Sequence, residues 1–253
     1  MISYDLSGRK ALVTGGASGI GLAAVTMLAR SGATVAMNHL PGDPAAEKAI
    51  VELHDQDLQV IGAPGSVAKA GIAEAMVESA VDDLGGLDYL INNAGTPATN
   101  EPIPPTELER MDEAFWEKIL QTNLLGAFRC AKAAAPALKE VQGAIVSTAS
   151  IAGMGTQGSS LAYAASKGAL VNMTRSLARG LGPEVRANAV APGHVDTPWT
   201  ANWSEARKRE SEVKAVLRRR CKPEDIAEVM LFLLAGAGMI TGQTIVIDGG
   251  LTL

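Results

Sequence analysis

Metal-binding and disulfide-forming residues are scarce in this sequence. Its 253 residues include two cysteines and three histidines, and Cys130 and Cys221 lack the short spacing of metal-binding cysteines. We therefore expect both cysteines to be reduced and buried, and we predict no metal site. Aromatic residues make up 4% of the chain, whereas apolar residues make up 47%, which is enough for a large buried core.

Concentrated positive charge and long apolar runs are also missing. The net charge is −5, and the arginine run at 218–220 is closely followed by Glu224 and Asp225. Because nucleic-acid phosphates require a basic face, we expect no nucleic-acid partner. No apolar run approaches the ~18 residues of a membrane span, so we expect no membrane association. The opening residues, MISYDLSGRK, lack the pattern of a signal peptide, and we expect a cytoplasmic protein.

Seven short apolar runs alternate with helix-length segments. The runs are nearly continuous, which is typical of strands buried on both faces of a parallel sheet. They cover residues 10–14, 34–38, 58–62, 87–92, 143–149, 184–190 and 243–248. Helices are predicted over 19–30, 44–54, 70–84, 106–121, 124–139, 160–181 and 223–234. This alternation predicts an α/β fold with a doubly wound, seven-stranded parallel sheet flanked by helices.

A single domain over residues 1–253 accounts for this pattern, because no repeat or low-complexity linker interrupts it. Segment 199–220 alone lies outside the alternation of strands and helices. It holds two of the three tryptophans and many charged residues. We expect it to form a helical flap over the carboxyl edge of the sheet, next to a substrate site.

A glycine-rich turn, TGGASGIG, joins the first predicted strand to the first helix. Gly15 would permit a tight turn, Gly19 would let the backbone approach a pyrophosphate, and Gly21 would allow close packing of helix on strand. The free N–H groups and the dipole at the helix N-terminus favour such a negative charge. The spacing is Gly-x-x-x-Gly-x-Gly, and no Gly-Lys-Ser/Thr is present, which argues against a P-loop nucleotidase.

Tyr163 and Lys167, in YAASK, lie four residues apart on a predicted helix and so share one face. A phenol, with a reference pKa of about 10, is a poor proton donor or acceptor at neutral pH. A neighbouring ammonium favours the phenolate and would lower that pKa. The pair is a candidate general acid and base for a carbonyl/alcohol couple, although such pairs are also common on exposed helices.

Four further motifs lie at predicted strand ends or on the following helices. NNAG (92–95) closes the fourth strand, TNLLG contains Asn123, Ser150 ends the fifth strand, and PGHVDT (192–197) closes the sixth. With TGGASGIG and YAASK in this order, the chain resembles the compact, single-domain branch of the short-chain dehydrogenase/reductase (SDR) family. The resemblance extends from GRKALVTGG to ITGQTIVIDGG and implies a single-domain Rossmann fold.

This resemblance implies a role for each motif in hydride transfer between NAD(P) and a ketone or secondary alcohol. Tyr163 would be the general acid/base, Lys167 would hold the nicotinamide ribose, and Ser150 would bind the substrate oxygen. Asn123 would hold a water of the proton relay. The NNAG backbone would lie beside the adenosine ribose, and PGHVDT would clamp the nicotinamide carboxamide. The implied cofactor-binding residues are Gly15, Ser18, Gly19, Ile20, Gly21, Asn38, His39, Ser66, Val67, Asn93, Ala94, Gly95, Tyr163, Lys167, Pro192, Gly193, Val195 and Thr197.

Two positions depart from the pattern of the family's NAD-preferring members. His39 ends the second strand, where those members usually carry an aspartate that binds the ribose hydroxyls. Ser66-Val67 stands in place of their usual Asp-Val. The arginines with which NADP-preferring members often bind the 2′-phosphate are also absent, because Ser18 and Leu40 occupy those positions.

Three interpretations of His39 stay open. It binds a 2′-phosphate with help from Asn38 and Ser18, or it donates to a 2′-hydroxyl and accepts either cofactor, or it points to solvent and selects nothing. A histidine, with a reference pKa near 6.5, gains charge beside a phosphate. We predict a modest preference for NADP(H), with NAD(H) also possible.

The substrate is left open by these motifs, since a polyol, a sugar, a hydroxy-acyl compound and a cyclic ketone all fit. Candidate substrate contacts are Thr96, Pro97, Ile151, Ala152, Met154, His194 and the flap at 199–220. The resemblance also implies a homo-oligomer, a tetramer or a dimer. The alternative function is a nicotinamide-binding regulatory protein without turnover, although such members generally lack the tyrosine or the lysine that this chain retains.

Overall fold

Seven parallel strands form one sheet in the computed structural model, which describes residues 4–253. The strands are β1 (Lys10–Val13), β2 (Thr34–His39), β3 (Val60–Pro64), β4 (Tyr89–Asn92), β5 (Ala144–Thr148), β6 (Arg186–Pro192) and β7 (Thr244–Ile247). Their order across the sheet is β3-β2-β1-β4-β5-β6-β7, and each adjacent pair is parallel. The predicted α/β fold with a seven-stranded parallel sheet is confirmed.

Helices connect the strands and cover both faces of the sheet. They are α1 (Gly19–Arg30), α2 (Pro44–His54), α3 (Ile72–Leu84), α4 (Glu113–Leu120), α5 (Ala127–Glu140), α6 (Leu161–Leu181), α7 (Glu205–Lys214) and α8 (Pro223–Leu231). A π-helical segment, Gln121–Gly126, joins α4 to α5. The helix predicted from residue 106 begins instead at Glu113, because Asp112 caps it by accepting a hydrogen bond from the backbone N–H of Phe115.

The two faces of the sheet carry separate apolar cores, which explains the continuous apolar runs in the sequence. Along β1, Ala11 and Val13 pack into the core that includes α1 and α8. Leu12, between them, packs into the opposite core, which includes α3 and α5. All three side chains are fully buried. Cys130 and Cys221 are also buried and form no disulfide, as expected.

The strand order reverses between β1 and β4. The chain builds the sheet outward from β1 through β2 to β3, then returns to place β4 on the other side of β1. Such a reversal opens a crevice at the carboxyl ends of the two central strands, which is where open α/β sheets bind ligands. The glycine turn after β1 and the NNAG motif after β4 both lie at this crevice.

Within residues 4–253, no helix has both the length and the apolar character needed to cross a membrane. The same part of the chain contains no cluster of three or more His, Cys, Asp or Glu side chains that could hold a metal ion.

Candidate active site

The glycine turn after β1 has the backbone geometry that the sequence predicts. Gly15 has a φ of +62°, and a Cβ at this position would lie 3.0 Å from the Cα of Ala94 in the neighbouring NNAG segment. At Gly21, a Cβ would lie 2.1 Å from the carbonyl oxygen of Gly15, so any side chain would force α1 away from the turn. These two glycines therefore shape the turn and bring α1 against it.

Asn38, at the end of β2, fixes the turn from one side. Its side chain is 3% exposed, and its Oδ1 accepts a hydrogen bond from the backbone N–H of Gly15 at 3.2 Å. Its Nδ2 donates to the carbonyl oxygens of Ala63 and Gly65 at 3.0 and 2.9 Å. The side-chain amide of Asn38 is therefore engaged with backbone groups, in contrast to the expectation that it would assist a 2′-phosphate, and it holds the glycine turn against β2 and β3.

Thr14 and Asn93 fix the turn from the other side. The hydroxyl oxygen of Thr14 accepts hydrogen bonds from the backbone N–H groups of Asn93 and Ala94, at 2.9 and 3.0 Å. The Nδ2 of Asn93 donates to the carbonyl oxygens of Thr14 and Gly15, at 3.2 and 3.1 Å. The NNAG segment and the glycine turn therefore form one rigid unit across β1 and β4. Thr14 was not among the candidate site residues, although its place at the end of a strand was a usable signal.

Tyr163 and Lys167 lie in the first two turns of α6, as predicted. Ser160 caps this helix and accepts a hydrogen bond from the backbone N–H of Tyr163 at 3.0 Å. The Nζ of Lys167 lies 5.7 Å from the centre of the Tyr163 ring, and the side chain is 2% exposed. The Nζ donates a hydrogen bond to the carbonyl oxygen of Thr148, at the end of β5, at 2.6 Å.

Burial dominates the electrostatics of this pair. It raises the pKa of the Tyr163 phenol to about 12, with a smaller opposing contribution from the Ser150 hydroxyl. It lowers the pKa of Lys167 to about 8. Both shifts disfavour the charged form of each group, as removal from water does. Burial therefore raises the pKa of Tyr163, whereas the spacing to Lys167 predicted that this pKa would be lowered.

Ser150 and Asn123 approach the same site from two other elements. Ser150 follows β5 and accepts a hydrogen bond from the backbone N–H of Ala152 at 3.2 Å. Asn123 lies in the π-helical segment and is 1% exposed. Its Oδ1 accepts from the N–H of Thr96 at 2.8 Å, and its Nδ2 donates to the carbonyl oxygen of Thr96 at 3.1 Å. The side-chain amide of Asn123 thus holds the loop after β4, and its role in holding a water of the proton relay stays a prediction.

These residues surround a cleft of about 610 Å³ at the carboxyl edge of the sheet. The predicted site residues that line it are Gly15, Ser18, Gly19, Ile20, Asn93, Ala94, Gly95, Ser150, Tyr163, Lys167, Pro192, Gly193, Val195 and Thr197. Gly21, Asn38, His39, Ser66, Val67 and Asn123 lie outside its lining. The cleft therefore brings three of the four predicted catalytic residues together with most of the predicted cofactor-binding residues, whereas Asn123 and the predicted residues at the ends of β2 and β3 lie outside it.

The ring of His39, at the end of β2, faces the backbone of the next residue, Leu40. Its Nδ1 lies 2.9 Å from the carbonyl oxygen of Leu40, so the ring donates there through Nδ1–H. Its Nε2 borders Gly62 on β3, where a Cβ would lie 3.1 Å away. The nearest cations in sequence are engaged elsewhere, since Arg30 binds Gln56 and Lys48 pairs with Glu52 at 3.6 Å.

The predicted flap forms one wall of the cleft. Trp199 contacts the ring of Tyr163 edge-on, with ring centres 5.9 Å apart. Trp203 contacts His194 in the same manner at 5.0 Å, and the guanidinium of Arg207 lies 3.8 Å above the Trp203 ring. The candidate contacts Pro97, Ile151, Ala152 and His194 line the cleft, whereas Thr96 and the half-exposed Met154 do not. Arg207 and Thr252 also line it and were not singled out from the sequence.

Comparison with known proteins identifies the fold and its chemistry. A family model described as enoyl-(acyl carrier protein) reductase matches residues 15–252. The chain belongs to the short-chain dehydrogenase/reductase family. It is 38% identical to a granaticin polyketide synthase putative ketoacyl reductase 2 of Streptomyces violaceoruber, over 95% of this chain and 94% of that protein. It is 35% identical to the 3-oxoacyl-[acyl-carrier-protein] reductase FabG of Thermotoga maritima, over 98% and 99% of the two chains.

Solved SDR structures superpose closely on this one. A short-chain dehydrogenase/reductase from Brucella melitensis has a TM-score of 0.91 and 32% identity over the full length of both chains. A short-chain dehydrogenase from Burkholderia cenocepacia, solved with NADP, has a TM-score of 0.88 at 30% identity over 98% and 100% of the chains. A 3-oxoacyl-[acyl-carrier protein] reductase from Brucella melitensis, solved with NAD, has a TM-score of 0.87 at 30% identity over 98% and 93%. The SDR described here is an NAD(P)-dependent oxidoreductase that acts on C=O/CH–OH groups.

Proposed function

We propose that this SDR reduces a ketone to a secondary alcohol, with Tyr163 as the proton donor. The observation that carries the proposal is the convergence of Tyr163, Ser150 and Lys167 on one wall of the cleft. When bound, a reduced nicotinamide would supply the hydride to the carbonyl carbon. Burial raises the pKa of Tyr163 to about 12, which keeps the phenol protonated at neutral pH but makes it a weaker acid. Donation to the carbonyl oxygen therefore depends on the nearby ammonium of Lys167, which favours the phenolate that is left. Ser150 would hold the carbonyl oxygen, and Lys167 would hold the nicotinamide ribose.

The residues that would hold the cofactor line the cleft. Gly15 and Gly19 line it at the N-terminus of α1, where free N–H groups favour the negative charge of a pyrophosphate. Pro192, Gly193, Val195 and Thr197 line the part of the cleft proposed for the nicotinamide carboxamide.

A ketoacyl compound is the substrate class that we favour among the polyols, sugars, acyl compounds and cyclic ketones that the motifs allow. Two curated relatives are named ketoacyl or 3-oxoacyl reductases. The cleft is about 610 Å³ and its outer wall includes Trp199 and Trp203, which provide apolar surface for an acyl chain.

Replacing Tyr163 with phenylalanine tests this function. A panel of ketones, including acetoacetyl thioesters, is assayed with NADPH and with NADH. Loss of the phenol removes general acid catalysis, so turnover should fall about 10²–10⁴-fold while nucleotide affinity is retained. The matched control is Tyr89→Phe, which removes a buried phenol from β4, outside the cleft. Nucleotide binding without turnover of any ketone by the wild type would instead favour a regulatory protein.

We also propose a modest preference for NADP(H). The end of β2 offers His39 where a carboxylate would repel a 2′-phosphate. The Nδ1–H of the ring donates to the carbonyl oxygen of Leu40, so binding a phosphate through this N–H requires the ring to rotate away from that oxygen. His39→Asp should therefore reverse the preference toward NAD(H), measured as the ratio of kcat/KM values for the two cofactors. Equal wild-type kcat/KM values across pH 6 to 8 would contradict the preference.

The proposed assembly is a homo-oligomer, a tetramer or a dimer. Exposed apolar side chains on the helices that the family uses for assembly support it, namely Leu125, Phe128 and Leu161. Light scattering coupled to gel filtration measures the assembly directly, and a monomer at micromolar concentration would contradict it.

A further inference from the structure

Arg207 is a cation of the cleft wall that has no carboxylate partner. It lies on α7, in the flap, and lines the same cleft as Tyr163 and Lys167. Within residues 4–253, no carboxylate oxygen lies within ion-pair distance of its guanidinium, and the guanidinium donates no hydrogen bond to a protein acceptor. A half-buried cation in a substrate cleft with its donors unused is arranged to meet an anion.

Three other cations of the flap are paired with carboxylates. Lys208 pairs with Glu205 at 2.9 Å, and Lys214 pairs with Glu210 at 2.6 Å. Arg220 pairs with Asp196 and Glu212 at 3.1 and 3.5 Å. Within residues 4–253, Arg207 and the exposed Arg209 form no such pair, and of these two only Arg207 lines the cleft. Glu101 lines the same cleft, and its charge and that of Glu210 act on Arg207 without forming an ion pair with it.

A stack of rings holds Arg207 in place. The guanidinium lies 3.8 Å above the face of Trp203, and Trp203 in turn meets the edge of the His194 ring. His194 follows Pro192 and Gly193, which line the cofactor part of the cleft, so the stack links the flap to the body of the site. Stacking covers one face of the guanidinium and leaves the N–H edge free for two parallel hydrogen bonds to a carboxylate or a phosphate.

His194 contributes a neutral ring, and no charge, to the stack with Trp203 and Arg207. Burial is the main cause that lowers its pKa, and Arg207, Arg220 and Lys214 lower it further against the opposing effect of Glu210. The imidazole is therefore neutral at pH 7, which leaves Arg207 as the charged group presented by the stack. Burial also lowers the pKa of Arg207, so a bound anion would offset part of the cost of keeping this cation away from water.

We infer that Arg207 binds an anionic group of the substrate, a carboxylate or a phosphate, and thereby selects anionic carbonyl compounds. This inference rests on the proposed reduction of a ketone in the same cleft. The anion would lie at the flap, and the carbonyl would lie at Tyr163, so one substrate would span the cleft between them.

Two pairs of substrates, each an anionic and a neutral compound, test the inference and show whether Arg207 binds a carboxylate or a phosphate. Acetoacetate is compared with ethyl acetoacetate, and an acetoacetyl phosphopantetheine thioester is compared with the acetoacetyl N-acetylcysteamine thioester. In the variant Arg207→Gln, the anionic-to-neutral ratio of kcat/KM should fall about 10- to 100-fold, the range of a charge-assisted hydrogen bond. A fall in the first pair identifies a carboxylate, and a fall in the second identifies a phosphate.

The matched control is Arg209→Gln, which removes the same charge from an exposed position on the same helix, outside the cleft. It should leave both ratios within about twofold of the wild type, because an exposed charge is screened by salt. Arg207→Lys should restore part of the ratio, since it keeps the charge and loses the bidentate geometry. Ratios that Arg207→Gln leaves unchanged in both pairs, or that Arg209→Gln lowers equally, would overturn the inference.

Binding measurements keep this test independent of the proposed reaction. If the wild type reduces none of the four ketones, the proposed substrate class fails. Calorimetric titration of acetoacetate and of phosphopantetheine into the protein with NADPH then tests Arg207 alone. Binding of either anion that is lost in Arg207→Gln would support the anion site, and no binding of either anion to the wild type would overturn it.

Discussion

Replacing Asn38 with alanine should destabilise the fold and weaken nucleotide binding at the same time. The Asn38 side chain makes four hydrogen bonds: its Oδ1 accepts one from the N–H of Gly15, and its Nδ2 donates to the carbonyl oxygens of Ala63, Gly65 and, at 3.5 Å, His39. Each such bond contributes about 0.5–1.5 kcal/mol, and the partners left behind lie in a buried region where water cannot replace the lost amide. The expected loss in the free energy of unfolding is therefore about 2–4 kcal/mol.

Urea denaturation followed by tryptophan fluorescence measures the stability, and titration with NADPH measures the affinity. Asn202→Ala is the matched control, because Asn202 is exposed and the chemical change is the same. The control should change stability by less than about 0.5 kcal/mol. If Asn38→Ala is destabilised as expected but binds NADPH with wild-type affinity, then the amide supports the sheet and does not position the glycine turn. A loss below about 1 kcal/mol would refute the energetic argument itself.

Two further variants probe the turn and the catalytic lysine. Gly21→Ala should abolish nucleotide binding, because its Cβ would lie 2.1 Å from the carbonyl oxygen of Gly15. The control Gly180→Ala, whose Cβ would meet no atom within 4 Å, should stabilise α6 by up to about 1 kcal/mol. Equal effects of the two variants in thermal unfolding and NADPH titration would contradict this. Burial lowers the pKa of Lys167 from 10.5 to about 8, so the unfolded chain binds more protons between these values. The free energy of unfolding of the wild type should therefore rise from pH 8 to 10.5 relative to that of Lys167→Met. If urea denaturation gives parallel plots of this free energy against pH for the two proteins, the lowered pKa of Lys167 is refuted.

The fold, and the position of Tyr163 and Lys167 on one helix face, could be predicted because both produce a regular pattern in the sequence. Buried parallel strands appear as continuous apolar runs, and β1 shows why, since Leu12 and Val13 face opposite cores. A spacing of four residues places Tyr163 and Lys167 on one face of α6 whatever the surrounding structure. Predictions of this kind depend on local geometry alone.

Other features depend on where the side chains point in the folded chain, and the sequence does not show this. Asn38 and His39 are neighbours on β2, but successive side chains of a strand point to opposite faces. One therefore holds the glycine turn and the other turns back to Leu40. The pKa values of Tyr163 and Lys167 likewise depend on burial, which outweighs the attraction between the two groups that the spacing suggests. The separation of Arg207 from carboxylates is visible only once α7 is folded.

A chain of hydrogen bonds connects the glycine turn to Lys167. Gly15 accepts a hydrogen bond from Asn93, the Oδ1 of Asn93 accepts one from the hydroxyl of Thr148 at 3.2 Å, and the carbonyl of Thr148 accepts one from Lys167. The first two links join the carboxyl ends of neighbouring strands, from β1 through β4 to β5, where the strand order reverses, and the third link joins β5 to α6. Because Lys167 is buried and its Nζ donates a hydrogen bond to Thr148, the position of the lysine is set by this network. A change that moves the glycine turn should therefore also displace the lysine, and nucleotide affinity and turnover should fall together in variants of Asn93 or Thr148.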